Sequence, residues 1–267
     1  MKTRVTRILG TASRLGLLEI KTLLVVLILA GAAWIFTGIA TEVGEGETRS
    51  FDERVLLAMR VPGDPADPIG PRWLEEAARD ITALGGVTVL LIVTLSSAIY
   101  MLMAQRPRMA LLLILSVLGA EAVNSLLKIG FARPRPELVA HQAQVFTASF
   151  PSGHSVMSAV TYLTMGALLA QLQTRRREKI FLLGLAIVLT LLVGLSRVYL
   201  GVHWPTDVLA GWTLGAAWAA VFWIVARILQ RLELLHPRSF DSVVSDASSR
   251  GPRPGFREDG KSSGLKS

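Results

Sequence analysis

Two stretches of the sequence, Thr22–Ala40 and Ile81–Ala104, contain no charged residue. Each is long enough to cross a hydrocarbon core of roughly 30 Å as a helix, and a lipid environment restricts a chain to helices or closed barrels. Four further runs follow. Met109–Leu127 is interrupted only by Glu121 and Asn124, Ser155–Leu172 and Val208–Ala226 are uncharged, and Ile180–Leu200 is broken only by Arg197. Composition agrees: 51% of the 267 residues are hydrophobic and 18% charged, with a mean hydropathy of +0.49, outside the range of soluble domains. The expected fold is all-α, an integral membrane bundle of six transmembrane helices.

The first run exceeds the h-region of about 7–15 residues typical of a cleaved signal peptide, so it reads as an anchor. There is no cysteine, which removes disulfides, thiol nucleophiles and thiolate metal sites. The net charge of +8 does not indicate nucleic acid, because the basic residues gather in short segments between spans as membrane topogenesis requires.

Charge asymmetry orients the bundle. Lys2, Arg4, Arg7, Arg14 and Lys21 precede span one, Arg106 and Arg108 separate spans two and three, and Arg175–Lys179 separates spans four and five. These segments are expected in the cytoplasm. The segment 41–80 holds ten acids against five arginines and is expected outside. In it Phe51, Val55 and Met59, and again Trp73, Ala77 and Ile81, recur every four residues, the spacing of two short amphipathic helices. Arg227 and Arg231 place the C-terminus inside. The expected divisions are a cytoplasmic leader 1–21, a six-helix domain 22–229, and a disordered cytoplasmic tail 237–267 rich in Ser, Gly and Pro. For a bacterial cell this is a multi-pass protein of the inner membrane.

With that orientation, three polar clusters fall at outer span ends. Lys128, Arg133 and Arg135 follow span three, Pro151–His154 opens span four, and Arg197, His203 and Asp207 bridge spans five and six. Arg133 and Arg135 run against the positive-inside bias, a cost that an anionic ligand would explain. An ammonium and a planar guanidinium suit phosphate oxygens, although basic residues after a span also serve as headgroup anchors. In Pro151-Ser152-Gly153-His154 the free N–H groups of Ser152 and Gly153 can point at an anion at a helix start; the plainer alternative is a helix cap. His203 and Asp207 are four residues apart, so a helix through Pro205 brings the carboxylate under the imidazole and can fix its tautomer. Arg197 near the end of an apolar span is expensive unless it meets an anion or a polar cavity.

The pattern Lys128-x6-Arg135-Pro136, Pro151-Ser152-Gly153-His154 and Ser196-Arg197-x5-His203-x3-Asp207 resembles the three-part signature of the type-2 phosphatidic acid phosphatase superfamily. Every signature position is matched, and the resemblance covers roughly Thr22 to Leu229. It implies a metal-independent membrane lipid phosphatase without a cofactor, acting on a lipid phosphate or diphosphate. His203 would be the nucleophile that forms a phosphohistidine, Asp207 its orienter, and His154 the general acid. Lys128, Arg135, Arg197 and the backbone at Ser152 and Gly153 would hold the phosphoryl oxygens. Vanadium haloperoxidases resemble the same signature, but six spans argue against them. Two alternatives stay open: a lipid phosphotransferase, which differs in the acceptor, and a non-catalytic transporter of anionic lipids, which would not need the His203–Asp207 spacing. Nothing in the sequence selects the lipid or the oligomeric state.

Other polar residues carry weaker expectations. Glu121, Asn124 and Lys128 share a helical face, so Glu121 is expected to face the bundle interior. His141 and His236 have no partner in the sequence pattern and are read as incidental. The six tryptophans are read as packing groups or interfacial anchors.

Overall fold

The computed structural model describes residues 23, 26–139 and 147–235, with the side chains of 231–235 excepted. The leader 1–21, the tail 237–267, His141 and His236 lie outside the described residues. The described residues up to Ala226 form one compact unit, and a second unit, from Arg227, contains among the described residues the last turns of the final helix.

The chain is helical, as expected. Helix α1 runs Val26–Glu45. There follow α2 (Arg49–Leu57), a hairpin of β1 (Arg60–Val61) and β2 (Asp64–Pro68), α3 (Arg72–Ala83), α4 (Val87–Met103), α5 (Pro107–Phe131), α6 (Gly153–Leu172), α7 (Arg176–Tyr199) and α8 (Pro205–Leu235). The hairpin strands are antiparallel. Proline occupies the first turn of α5 and opens α8, where its missing N–H costs nothing and its fixed φ fits. Ser152 caps α6, its side chain accepting from the Ser155 N–H.

Among the described residues five helices are long and apolar enough to cross a membrane, and the bent pair α3 with α4, taken as one span, gives a sixth. Here the structure differs from the expected continuous span Ile81–Ala104. Helix α3 ends at Ala83, α4 begins at Val87, and their axes bend by 50°. The cause is Gly85-Gly86: glycine is the weakest helix former apart from proline, and Gly86 adopts an extended conformation (φ −75°, ψ 151°) as the N-cap of α4. The two short helices of segment 41–80 exist as α2 and α3, with inward faces one residue on from those expected. Asp52, Leu56, Ala78 and Thr82 are buried, whereas Phe51 and Trp73 are exposed. Glu121 also departs from expectation. It is exposed and accepts from Ser125 Oγ (3.4 Å), while Asn124 is the buried member of that face.

Helix α6 is the centre of the bundle: 67% of its most apolar window is buried, against 6% for α1. Leu90, Val156, Met157, Val160, Tyr162 and Ala186 form the core around it. Small residues let α8 approach α6 backbone to backbone; a Cβ at Gly215 would stand 2.5 Å from Ala159 Cβ and 2.9 Å from Val156 O. This packing sets the start of α8 beside the start of α6.

Candidate active site

The three polar clusters meet at one end of the bundle. Lys128 Nζ donates to Ala148 O (2.7 Å), joining α5 to the segment before α6. The Ser152 N–H donates to Asp207 O (3.1 Å), joining the starts of α6 and α8, and Trp204 Nε1 donates to Pro134 O (3.0 Å). Lys128, Arg135, His154, Arg197 and His203 are close enough for their charges to interact. Residues separated by 75 positions in sequence thus share one polar site.

His203 is buried at the start of α8, after a turn that requires left-handed backbone at Gly201 (φ 71°). Its Nδ1 lies 3.4 Å from Asp207 Oδ2, and Arg135 Nη1 lies 3.1 Å from its Nε2. A guanidinium can only donate, so Nε2 accepts and the ring proton sits on Nδ1, facing the carboxylate. That is the tautomer in which Nε2 carries the free lone pair. Burial pushes the His203 pKa down to about 3; Asp207 opposes this, and Arg135 and Arg197 reinforce it. Burial therefore favours the neutral imidazole.

Asp207 is held on all sides. Its Oδ2 accepts from Ser149 Oγ and from the Trp204 N–H (3.0 Å), and its Oδ1 accepts from Arg133 Nη1 (2.6 Å). Arg135 is fixed through Nε to Thr147 O (2.8 Å) and through Nη1 to Val202 O (2.6 Å). Burial lowers its pKa, partly offset by Asp207. Arg197, buried in the last turn of α7, donates to Thr82 Oγ1 (3.0 Å), and its Nε has no partner. Such an arginine is stable there only with an anion or a polar cavity beside it.

His154 stands in the first turn of α6 against the α3–α4 break. A Cβ at Gly85 would meet His154 Cδ2 at 3.2 Å and Val193 Cγ1 at 2.4 Å. Tyr162 donates to Leu84 O (2.7 Å) and pins the break. On the other side of the cradle, a Cβ at Gly153 would lie 3.4 Å from Asn124 Nδ2 and 3.5 Å from Lys128 Cε. The expected pair of free N–H groups is corrected at Ser152: its N–H is engaged by Asp207 O, because the α6–α8 approach brings that carbonyl onto it. The donors left for an anion are those of Gly153 and His154, which as first-turn residues have no intrahelical acceptor.

Three residues that hold the site together lie outside the expected set: Ser149, which donates to Asp207, Thr82, which accepts from Arg197, and Asp52, which accepts from Arg133. Ser149 precedes the Pro151–His154 group without any pattern of its own, Thr82 lies in the supposed second span, and Asp52 is one acid among ten. Arg133 did leave a signal, its position against the positive-inside bias. No group of three or more His, Cys, Asp or Glu side chains that could hold a metal ion occurs among the described residues.

The family model of the PAP2 superfamily matches residues 109–231. The chain is 34% identical over 186 residues to phosphatidylglycerophosphatase B of Bacillus subtilis (strain 168), covering 67% of this chain and 85% of that protein. A shorter match, 43% identical over 68 residues, covers 26% of this chain and 29% of an undecaprenyl-diphosphatase of Sulfolobus acidocaldarius. The fold is similar to the crystal structure of a transmembrane PAP2-type phosphatidylglycerolphosphate phosphatase from Bacillus subtilis, with a TM-score of 0.67 and 30% identity over 73% of this chain and 93% of that one.

Proposed function

This chain belongs to the PAP2 superfamily and is a multi-pass membrane phosphatase, and on that footing we propose that it hydrolyses a lipid phosphomonoester or diphosphate through a phosphohistidine on His203, without a metal ion. The observation that carries this reading is the fixed tautomer of His203, with Nε2 accepting and Nδ1 directed at Asp207.

A lipid phosphate entering between Lys128, Arg135 and Arg197 presents phosphorus to Nε2. The Nε2–P bond forms as the P–O bond to the lipid breaks, and His154 gives a proton to the departing oxygen. Phosphoryl transfer needs in-line positioning and charge stabilisation more than covalent assistance. Three cations and the first-turn N–H groups of α6 supply both. In the second half, His154, now neutral, takes a proton from water as the water oxygen attacks phosphorus. The N–P bond breaks and inorganic phosphate leaves.

The charge pattern of the segments between helices supports a site at the outer leaflet, with both termini in the cytoplasm. The similarity to a phosphatidylglycerophosphatase and an undecaprenyl-diphosphatase makes phosphatidylglycerol phosphate and a polyprenyl diphosphate the substrates to test first. Purified protein in detergent should release phosphate from at least one of them, and His203→Ala and His154→Ala should release none. Release by His203→Ala at the native rate would overturn the reading. Lipid binding without phosphate release would favour a transporter, and label passing to an added alcohol a phosphotransferase.

A further inference from the structure

Arg133 bridges two carboxylates that the proposed chemistry does not link. Its Nη1 donates to Asp207 Oδ1 (2.6 Å) and its Nη2 to Asp52 Oδ2 (2.7 Å). Asp52 lies on α2, in the segment before the bent second span, and like Asp207 is fully buried. Four further bonds close the arrangement, one of them from Arg133 Nη1 to Thr206 Oγ1 (2.9 Å). The Thr206 N–H donates to Asp52 Oδ1 (3.0 Å), Thr206 Oγ1 donates to Asp52 Oδ2 (2.7 Å), and Arg133 Nη2 reaches Thr48 Oγ1 (3.2 Å). The Arg133 guanidinium also lies 5.6 Å from the centre of the Trp204 ring, the residue next to His203.

Resting on the phosphohistidine reading, we infer that Asp52 and Arg133 are positioning residues that hold Asp207 in place and keep it basic while His203 carries the phosphoryl group. When Nε2 becomes bonded to phosphorus with Nδ1 still protonated, the ring bears a positive charge that Asp207 must balance. A guanidinium on Oδ1 fixes the carboxylate's rotamer but draws off its negative charge. Asp52, on the opposite prong of the same fork, offsets that cation. The cluster Asp52–Arg133–Asp207 therefore carries a net charge of −1 facing the imidazole, with each member hydrogen-bonded, which is the condition under which buried ions are tolerated. Removing only the Asp52 charge leaves Arg133 wholly on Asp207 and weakens the support for the ring. Removing Arg133 leaves the buried Oδ1 without its donor, so that only the bonds at Oδ2 hold the carboxylate. A lysine cannot replace it, because a single ammonium does not span two carboxylates as a fork does.

The test compares kcat, KM and melting temperature for the full-length protein in detergent, with phosphatidylglycerol phosphate or a polyprenyl diphosphate as substrate. Asp52→Asn and Arg133→Gln should each lower kcat by about 10–100-fold, the loss seen when the hydrogen-bond partners that orient metal ligands are removed. KM should stay within about threefold, since both terminal nitrogens of Arg133 are engaged by carboxylates and Asp52 is buried. The double variant should lose no more than Arg133→Gln alone, because Asp52 acts through Arg133. Arg133→Lys should recover little. If Asp52→Asn does not yield folded protein, Thr206→Val decides by the same measurements, as it removes the hydroxyl shared by both partners. Losses confined to KM, losses that follow the melting temperature, or additive losses in the double variant would overturn the inference. His203→Ala separates this from failure of the parent reading: if it is inactive while Asp52→Asn and Arg133→Gln turn over normally, only the positioning role falls.

Discussion

Arg135 Nη1 lies 3.1 Å from His203 Nε2, so the guanidinium covers the nitrogen proposed to attack phosphorus. On the proposed mechanism an incoming phosphate draws this donor onto its own oxygen, which uncovers the lone pair as the electrophile arrives. One residue then both protects the nucleophile and stabilises the transferring group. Arg135→Lys keeps the charge and loses the fork. It should lower kcat/KM by about 10²–10³-fold, the effect of removing one preorganised donor. Steady-state phosphate release measures it, and a loss below threefold would contradict the role.

Because Asp207 holds the ring proton on Nδ1, Asp207→Asn is the most damaging conservative change near the proposed nucleophile. An amide at this position can present N–H to Nδ1 and reverse the ring proton, as in serine-protease triads, where the equivalent change costs about 10⁴ in kcat. A similar loss is expected here with the fold retained, since Ser149, Trp204 and Arg133 still surround the side chain. Kinetics with circular dichroism on the same sample would check both halves.

Gly85 separates His154 from Val193, and an added Cβ would stand 2.4 Å from Val193 Cγ1 and 3.2 Å from His154 Cδ2. Gly85→Ala should displace one or both, with an overpacking cost of about 1–3 kcal/mol. Because His154 is the proposed proton donor, kcat should fall further than stability alone explains. A melting curve beside a kcat measurement separates the two effects.

His203 also gives the fold a pH dependence. Its pKa in the folded chain, about 3, lies below the ~6.5 of an unfolded imidazole. Between these values the unfolded state holds a proton that the folded state lacks, so stability falls as pH falls through the window, by up to about 1.4 kcal/mol per pH unit. From pH 6.5 to 5, His203→Asn should show a flatter decline of melting temperature than the native protein. Equal slopes would contradict the buried neutral imidazole.

The legibility of this protein in its sequence differs between its parts for physical reasons. Helix length and apolarity are local properties, so five spans could be read directly, and the four-residue spacing of His203 and Asp207 placed carboxylate beside imidazole before any tertiary contact was known. The second span misled because hydropathy does not register backbone propensity: Gly85 and Gly86 are apolar enough to continue the run but break the helix. Glu121 misled because Glu121 and Asn124 lie three residues apart, and helical spacing alone does not say which of them meets a neighbouring helix. Asp52 and Thr82 were invisible as site residues because their importance arises only when α2 meets the start of α8 and α3 meets α7, bringing Asp52 to Thr206 and Thr82 to Arg197. Ser152 was overread, since a motif can reveal an anion cradle but not that Asp207 O already occupies one of its donors.

The proposed reaction requires a covalent bond between His203 and phosphorus. Rapid quenching of the protein with a lipid substrate carrying labelled terminal phosphate, followed by peptide mapping, should find an acid-labile, base-stable label on the peptide containing His203 and none on the His203→Ala variant. Turnover in the native protein with no label at His203, or with label on another residue, would contradict it.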